Sequence, residues 1–307
     1  MSAAEPVSPR DNLATAGSVL DHIGLFVPDM ERAAGDLARL GFALTPDSAQ
    51  RRTLASGELV PTGTANRLAI LQRGYIELLT ATGDTPIADQ LRRATRRYVG
   101  AHLIAFGIAD AEATHDRLGQ AGFDPLPMVR LQRTVSTAAG EQLARFSVVR
   151  VPPDRMAEGR MQFCRHHTPE LVWQRERQNH PNRAHSLTGI LLCAGDPAEV
   201  VARYARFLAV AARAHKGFHV FLLARGRLHV FAPTTLTTLT GLEAPTLPFI
   251  AGFALTSSDL AATRAVLAAN GVTTRDLAPD VLAAPIPEMA CTILFMAPDA
   301  VMPWLQP

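Results

Sequence analysis

Lysine is almost missing from this chain: Lys216 is the only one, and arginine supplies nearly all the positive charge of the 30 Lys+Arg residues. With 28 Asp+Glu the formal net charge is only +2, and no long basic tract interleaved with aromatics occurs, which disfavours nucleic acid as a partner. Cysteine is scarce as well. Cys164, Cys193 and Cys291 lie in apolar runs, lack metal-ligand spacing and cannot all pair with one another, which points to a reducing cytoplasm. No apolar stretch approaches the roughly 18–20 residues that span a bilayer, so a membrane location is not expected. The opening MSAAEPVSPRDN has no apolar signal core, and residues 1–16 read as a loose tail. What is present is a chain of 307 residues, 48% hydrophobic, long enough to bury a substantial core and to form two ordinary domains.

The chain repeats one pattern four times. LDHIGLFV (20–27) is followed by Pro28-Asp29 and MERAAGDLARLGF, where Asp29 is placed to cap a helix, Ala33, Leu37 and Leu40 fall at helical spacing, and Gly41 closes it. HLIAFGIAD then AEATHDRLGQAGF repeats this with Asp110 and Gly122, and LTGILLCAG leads into Asp196-Pro197-Ala198-Glu199, a further cap. FIAGFALTSSDLAATRAVLAANG is the fourth copy. Each start is followed by apolar segments broken by turn residues, so the unit reads βαβββ. LQRGYIELL (71–79) aligns with LARGRLHVF (223–231), which sets His229 against Glu77. The charged segment at about 172–186 reads as a linker between a first domain at 17–171 and a second at 184–304.

Two polar residues interrupt these apolar strands. Strand alternation places Leu20, His22, Gly24 and Phe26 on one face and Ile23, Leu25 and Val27 on the other. Glu77, in YIELLT (75–80), is flanked by Ile76, Leu78 and Leu79, where an unpaired carboxylate costs several kcal/mol to bury. An imidazole and a carboxylate aimed from two strands into one concavity suit a divalent metal. His166-His167-Thr168-Pro169-Glu170 is the densest polar cluster, and its residue types suit acid/base chemistry beside a substrate. Gln162, Cys164 and His166 share one strand face and Phe163, Arg165 and His167 the other; either His166 or His167 enters the concavity. Asn66 is a candidate for orienting a ligand or for shaping its turn, and Trp173 and His180 for lining the same mouth or anchoring the linker.

The order LDHIGLFVPD, GTANRLAIL (63–71), GYIELL (74–79) and FCRHHTPELVW (163–173) resembles the glyoxalase-like branch of the vicinal oxygen chelate superfamily. That resemblance implies an α+β fold, four βαβββ modules paired into two incomplete-barrel domains of the glyoxalase/extradiol dioxygenase kind. It implies metal ligands on the first and fourth strands of each module, hence His22 and Glu77, with His166 and His102 as candidates from the second. Counting back seven residues from Asp110 reaches Leu103, with His102 one place off, so His102 qualifies only if a bulge restores its direction. His166, His167 and Glu170 are the candidate acid/base residues.

The implied activity is a metal-dependent lyase or isomerase, with Fe²⁺, Mn²⁺ or Zn²⁺ chelating a small oxygenated, partly apolar substrate. The alternatives are an extradiol-type ring-cleaving dioxygenase and a metal-free protein that sequesters a small molecule. A further reading is a paralogue that has lost its site. The second domain, with Gly189 where a first-strand histidine would stand, is expected to be metal-free, a structural unit or a lid. Superfamily practice implies a homodimer.

Overall fold

The structure, a computed structural model, describes residues 8–54 and 56–306. The first unit is β1 (Val19–Phe26), α1 (Met30–Arg39), β2 (Ser48–Thr53), β3 (Leu59–Ile70) and β4 (Tyr75–Ala81). Helix α2 (Pro86–Arg97) leads to the second unit: β5 (Gly100–Gly107), α3 (Ala111–Gln120), β6 (Val129–Thr137), β7 (Gly140–Arg150) and β8 (Arg160–His166). A single turn, α4 (Pro169–Val172), precedes the third: β9 (Ala184–Cys193), α5 (Pro197–Leu208), β10 (Ala212–His215), β11 (Phe218–Leu222) and β12 (Arg227–Phe231). After α6 (Pro233–Thr240) comes the fourth: β13 (Phe249–Ser257), α7 (Leu260–Ala269), β14 (Arg275–Ala278), β15 (Val281–Ile286) and β16 (Cys291–Met296).

The first two units form a barrel in the order β1-β4-β3-β2-β6-β7-β8-β5, closed where Arg51 and Arg52 of β2 pair with Gln132 and Leu131 of β6. The last two form an open eight-stranded sheet, β10-β11-β12-β9-β13-β16-β15-β14. No helix among the described residues is long and apolar enough to cross a membrane.

Each unit helix starts where an aspartate side chain accepts a backbone N–H of the first turn: Asp29 from Arg32, Asp110 from Ala113, Asp196 from Ala198 and Glu199, Asp259 from Ala262. Gly41, Gly122 and Gly271 follow three of these helices with φ of +81°, +78° and +67°, values that suit glycine. Helix α2 is not visible as a repeat, but its signal is ordinary: Thr85 caps it through Ala88 N–H, and Pro86 opens its first turn.

Every first strand is bulged at the same place. The β1–β5 register skips Asp21 between Leu20 and His22, and skips His102 between Leu103 and Ala101. The β9–β13 register skips Thr188 and Ala251 in the same way. Asp21, His102, Thr188 and Ala251 each lie eight positions before the capping aspartate of their helix. The bulge at Asp21 overturns strict alternation: Leu20 shares a core with Ile23, Leu25 and Val27, while Asp21 bonds its neighbour His22.

The main core lies between the outer wall of the barrel and the second sheet. Leu20, Ile23 and Leu25 of β1 share it with Leu187, Ile190 and Leu192 of β9, and Phe106, Phe163 and Phe207 fill it near α5. Each fully buried side chain of this size contributes about 2–3 kcal/mol. Two equivalent turns clasp the sheets together. Arg73, between β3 and β4, exchanges backbone hydrogen bonds with His185 and Leu187; Arg225, between β11 and β12, accepts Leu20 N–H at its carbonyl and donates to Leu20 O from its guanidinium.

The expectation of a loose tail over 1–16 is corrected where the tail is described; residues 1–7 lie outside the described residues. Asn12 is buried, donating to Gln72 O and accepting from Gly74 N–H, so the chain is pinned to the β3–β4 turn. The segment read as a linker is also fixed. Trp173 is buried, and His180 takes Ala43 N–H at Nδ1 and lies 2.9 Å from Ile70 O at Nε2.

Candidate functional site

His22 and Glu77 meet inside the barrel. Parallel pairing sets Gly24 beside Glu77, and β3 sets Leu68 on its other side, so both side chains enter one small chamber of about 70 Å³. His22 Nε2 lies 3.7 Å from Glu77 Oε2. Asn66 Nδ2 donates to Glu77 Oε1 at 2.6 Å, and Gln50 Nε2 reaches the same oxygen at 3.2 Å. Asn66 therefore orients the carboxylate from inside the strand rather than shaping a turn. Tyr75 stacks on His22 with ring centroids 4.3 Å apart, which fixes the imidazole plane. Burial, reinforced by Asp21, pushes the Tyr75 hydroxyl up, so it stays neutral.

Behind His22 stands Asp21, fully buried and bonded to two imidazoles. Its Oδ2 lies 2.6 Å from His22 Nδ1, and its carboxylate is 3.0 and 3.1 Å from His166 Nε2. Burial alone would raise this carboxyl, but His166 and His22 outweigh it and hold Asp21 well below the usual carboxylate range. An ionised carboxylate only accepts, so Nδ1 of His22 carries a proton and Nε2 is the ring nitrogen turned toward Glu77. Two acceptors facing each other in a buried chamber call for a cation or a proton between them. Two ligands each about 2.0–2.2 Å from one ion are separated by about 3–4 Å, which the pair satisfies. A carboxylate behind a ligating histidine is also the arrangement that fixes tautomer and ring orientation at metal sites.

The registers locate the counterparts in the second unit. As His22 pairs with Tyr75 two residues before Glu77, Leu103 pairs with Arg160 two residues before Gln162. Leu103 and Gln162 thus occupy the places of His22 and Glu77. Gln162 Oε1 accepts from Arg150 Nε at 3.1 Å. Cys164, further along β8, borders the chamber, and burial pushes its thiol up. His166 is the buried member of the His166/His167 pair; its Nε2 faces Asp21, and its Nδ1 has no hydrogen-bond partner among the described residues. Asp21, Cys164 and His166 bring one ligand atom each within 4.8 Å of one another, a second donor cluster beside the first.

His166 meets Asp21 behind the chamber without lining it, and the three other expected site residues lie away from it. His102 is the bulged residue of β5, equivalent to Asp21 rather than to His22; its Nε2 lies 2.8 Å from Tyr98 O, its ring stacks on Tyr98 at 3.9 Å, and burial pushes its pKa down to about 4. His167 lies beyond the end of β8 with Nε2 2.8 Å from Ser147 Oγ, and Glu170 is exposed on α4. Sequence reasoning missed Asp21, because alternation assigns it to the face opposite His22. It also missed the chamber's cations: Arg133, Arg150 and Arg160 all border it. Burial and then Arg150 push the Arg160 pKa down to about 9.

The second sheet carries no such pair. Gly189 and Gly252 stand where His22 does, and His229 and Leu294 where Glu77 does. Its inner face is filled by Met302 and Trp304 from the C-terminal segment, and Trp304 Nε1 donates to His229 Nδ1 at 3.2 Å.

A family profile described as a glyoxalase-like domain matches residues 20–208, and the chain belongs to that family. No curated protein matches it in sequence. Among solved structures it is similar to a hypothetical protein from Staphylococcus aureus, at 11% identity and a TM-score of 0.64 over 91% of this chain and 99% of that one. It is also similar to a mutant 4-hydroxymandelate synthase from Streptomyces coelicolor, at 14% identity and a TM-score of 0.57 over 93% and 94%. A third similar structure is a xylose isomerase-like TIM barrel/4-hydroxyphenylpyruvate dioxygenase fusion protein, at 13% identity and a TM-score of 0.56, covering 97% of this chain and 51% of that one. At these identities the likeness is one of fold, and it spans both sheets.

Proposed function

We propose that the N-terminal barrel is the active domain of a metal-dependent lyase or isomerase, with His22 and Glu77 holding a divalent ion, Fe²⁺, Mn²⁺ or Zn²⁺. The observation that carries this reading is the 3.7 Å approach of His22 Nε2 to Glu77 Oε2, with Asp21 fixing the imidazole from behind. When bound, such an ion supplies Lewis-acid polarisation of a substrate oxygen. Asn66 and Gln50 hold Glu77 Oε1, so Oε2 is the oxygen left for the site. Asp21 holds the proton on His22 Nδ1 and positions His166. The guanidinium groups of Arg150 and Arg160 favour negative charge developing on a bound enediolate-like oxygen. We take 17–171 and 184–304 as the two units, the second serving as scaffold because its inner face is already filled.

The names of two structural relatives mention 4-hydroxymandelate synthase and 4-hydroxyphenylpyruvate dioxygenase, which keeps oxygenase chemistry as the alternative. Oxygenases of the facial-triad kind need two histidines and one carboxylate on the metal. In this chamber one imidazole nitrogen faces the carboxylate, while the second histidine is engaged by Asp21, so lyase or isomerase chemistry is preferred. A metal-free binding protein is the second reading, favoured by a cavity of about 520 Å³ beside the chamber.

Elemental analysis separates these readings. The proposal expects about one divalent metal per chain, lost in His22→Ala and in Glu77→Gln while far-ultraviolet circular dichroism is unchanged. Protein that takes up no Fe²⁺, Mn²⁺ or Zn²⁺ when loaded, or variants that keep the metal, contradict it.

A further inference from the structure

A space much larger than the chamber, a cavity of about 520 Å³, lies at the barrel end where β1 and β7 finish and β8 begins, next to α2. Its size lies within the roughly 300–1,000 Å³ of small-molecule sites. Arg150 and Arg160 border both spaces, so the cavity adjoins the His22/Glu77 chamber. Apolar and cationic side chains make most of its wall, with Gln90 and His102 between them. Phe26, Ile87, Leu126, Val151 and Met156 give it an apolar floor. Arg52, Arg93, Arg97, Arg150 and Arg160 give it five guanidinium groups, and no Asp or Glu among the described residues lines it.

None of these five arginines forms an ion pair among the described residues, although six other arginines of the chain do. Their hydrogen bonds go to neutral acceptors. Arg150 donates to Gln162, Arg160 to Gln90, and Arg97 to the carbonyls of Ala157 and Pro248. Arg160 also packs over the Phe26 ring, 5.4 Å from its centroid, so its guanidinium is held rigidly at the junction of the two spaces. Gathering like charges around a partly enclosed space is unfavourable unless a counter-charge enters, and the guanidinium fork matches carboxylate and phosphate oxygens. The chain's near-total use of arginine for its cations explains arginine over lysine here, but not why five gather around a space whose adjoining chamber offers Arg150 and Arg160 only one carboxylate among the described residues, Glu77.

We infer that this cavity binds an amphipathic organic anion, an apolar body bearing a carboxylate or phosphate, whose acid group is held by the Arg150/Arg160 cluster beside the His22/Glu77 chamber. This deepens the proposed function by naming the substrate class, yet the binding step rests on the arginines and not on a metal.

The test is isothermal titration of the full chain with 1-naphthyl phosphate, 1-naphthoate and the neutral 1-naphthol. One of the two anions is expected to bind one per chain, at least about tenfold more tightly than 1-naphthol, and to weaken as NaCl rises from about 0.05 to about 0.5 M. Whichever anion binds more tightly identifies the acid group. Arg150→Gln is expected to weaken binding at least about tenfold. Arg93→Gln, on the exposed face of α2, is expected to weaken it by about two- to fivefold without threatening the fold. Equal binding of 1-naphthol, no binding of either anion, or anion binding unchanged in Arg93→Gln and in folded Arg150→Gln overturns the inference. Binding that persists in chelator-treated protein and in His22→Ala supports it even if the metal reading fails. Binding lost on chelation alone assigns the anion to a metal and overturns it.

Discussion

Asp21 accepts the Nδ1 proton of His22 at 2.6 Å from a bulge in the same strand, so two consecutive residues of β1 both serve the barrel interior. A regular strand cannot do this, because successive side chains leave opposite faces. The bulge is what turns a candidate ligand into an oriented one, and it makes Asp21 as much a part of the site as His22.

Replacing that carboxylate tests the relationship. Asp21→Asn keeps the shape but loses the charge that selects the His22 tautomer and engages His166. Metal affinity is expected to fall by about 10- to 100-fold, the range found when such supporting groups are removed. A competitive chelator titration of wild type and variant reads the change directly.

Asp21 was hidden for a physical reason. Periodicity of two reads strands well while they remain regular, and a single bulge shifts the face of every residue before it. The four units themselves were legible because their punctuation is local: a capping aspartate, an apolar helical stripe, a closing glycine. The bulges recur eight residues before each capping aspartate, so Asp21 and His102 are equivalents and the one-place offset of His102 is the bulge itself. Helix α2 escaped because it lies outside the βαβββ unit, in the connection between two units as α6 does, although Thr85-Pro86 marks its start. The arginine-lined cavity is assembled from β2, α2, β7 and β8, and nothing local in the chain announces such a meeting.

Acid sensitivity should come from the second sheet. His229 is buried, and burial, with Arg227 and His215 nearby, pushes its pKa down to about 3. The unfolded chain binds a proton near pH 6.5, whereas the folded chain does not until about pH 3. This group's contribution is therefore complete above pH 6.5 and is lost as pH falls toward 3. At pH 4.5 the loss is on the order of 2–3 kcal/mol. Urea unfolding of wild type and His229→Gln at pH 7 and about pH 4.5 should show a smaller drop in the variant.

Glu158 carries a second buried charge, paired bidentately with Arg203 of α5 at 2.6 and 3.0 Å. The carboxylate is fully buried, and Arg203 also holds Glu199. Glu158→Ala leaves a guanidinium without its main partner between barrel and second sheet, and should destabilise the chain by about 2–4 kcal/mol. Glu199→Ala, on the exposed side of the same arginine, should cost under about 1 kcal/mol. Denaturant midpoints compare the two.

Trp304 fills the concavity of the second sheet against His229 and Phe231. Trp304→Ala should cost about 3–5 kcal/mol by leaving a void and removing the hydrogen bond to His229. Metal content of the folded variant should be unchanged, because the proposed ligands lie in the barrel.

The central claim is that His22 and Glu77 share one ion, and a crystal structure of the metal-loaded protein with anomalous scattering at the metal edge tests it most directly. The account predicts a single peak within about 2.0–2.3 Å of His22 Nε2 and Glu77 Oε2. A peak at the neighbouring Asp21, Cys164 and His166 cluster instead, or no peak between His22 and Glu77, would contradict it.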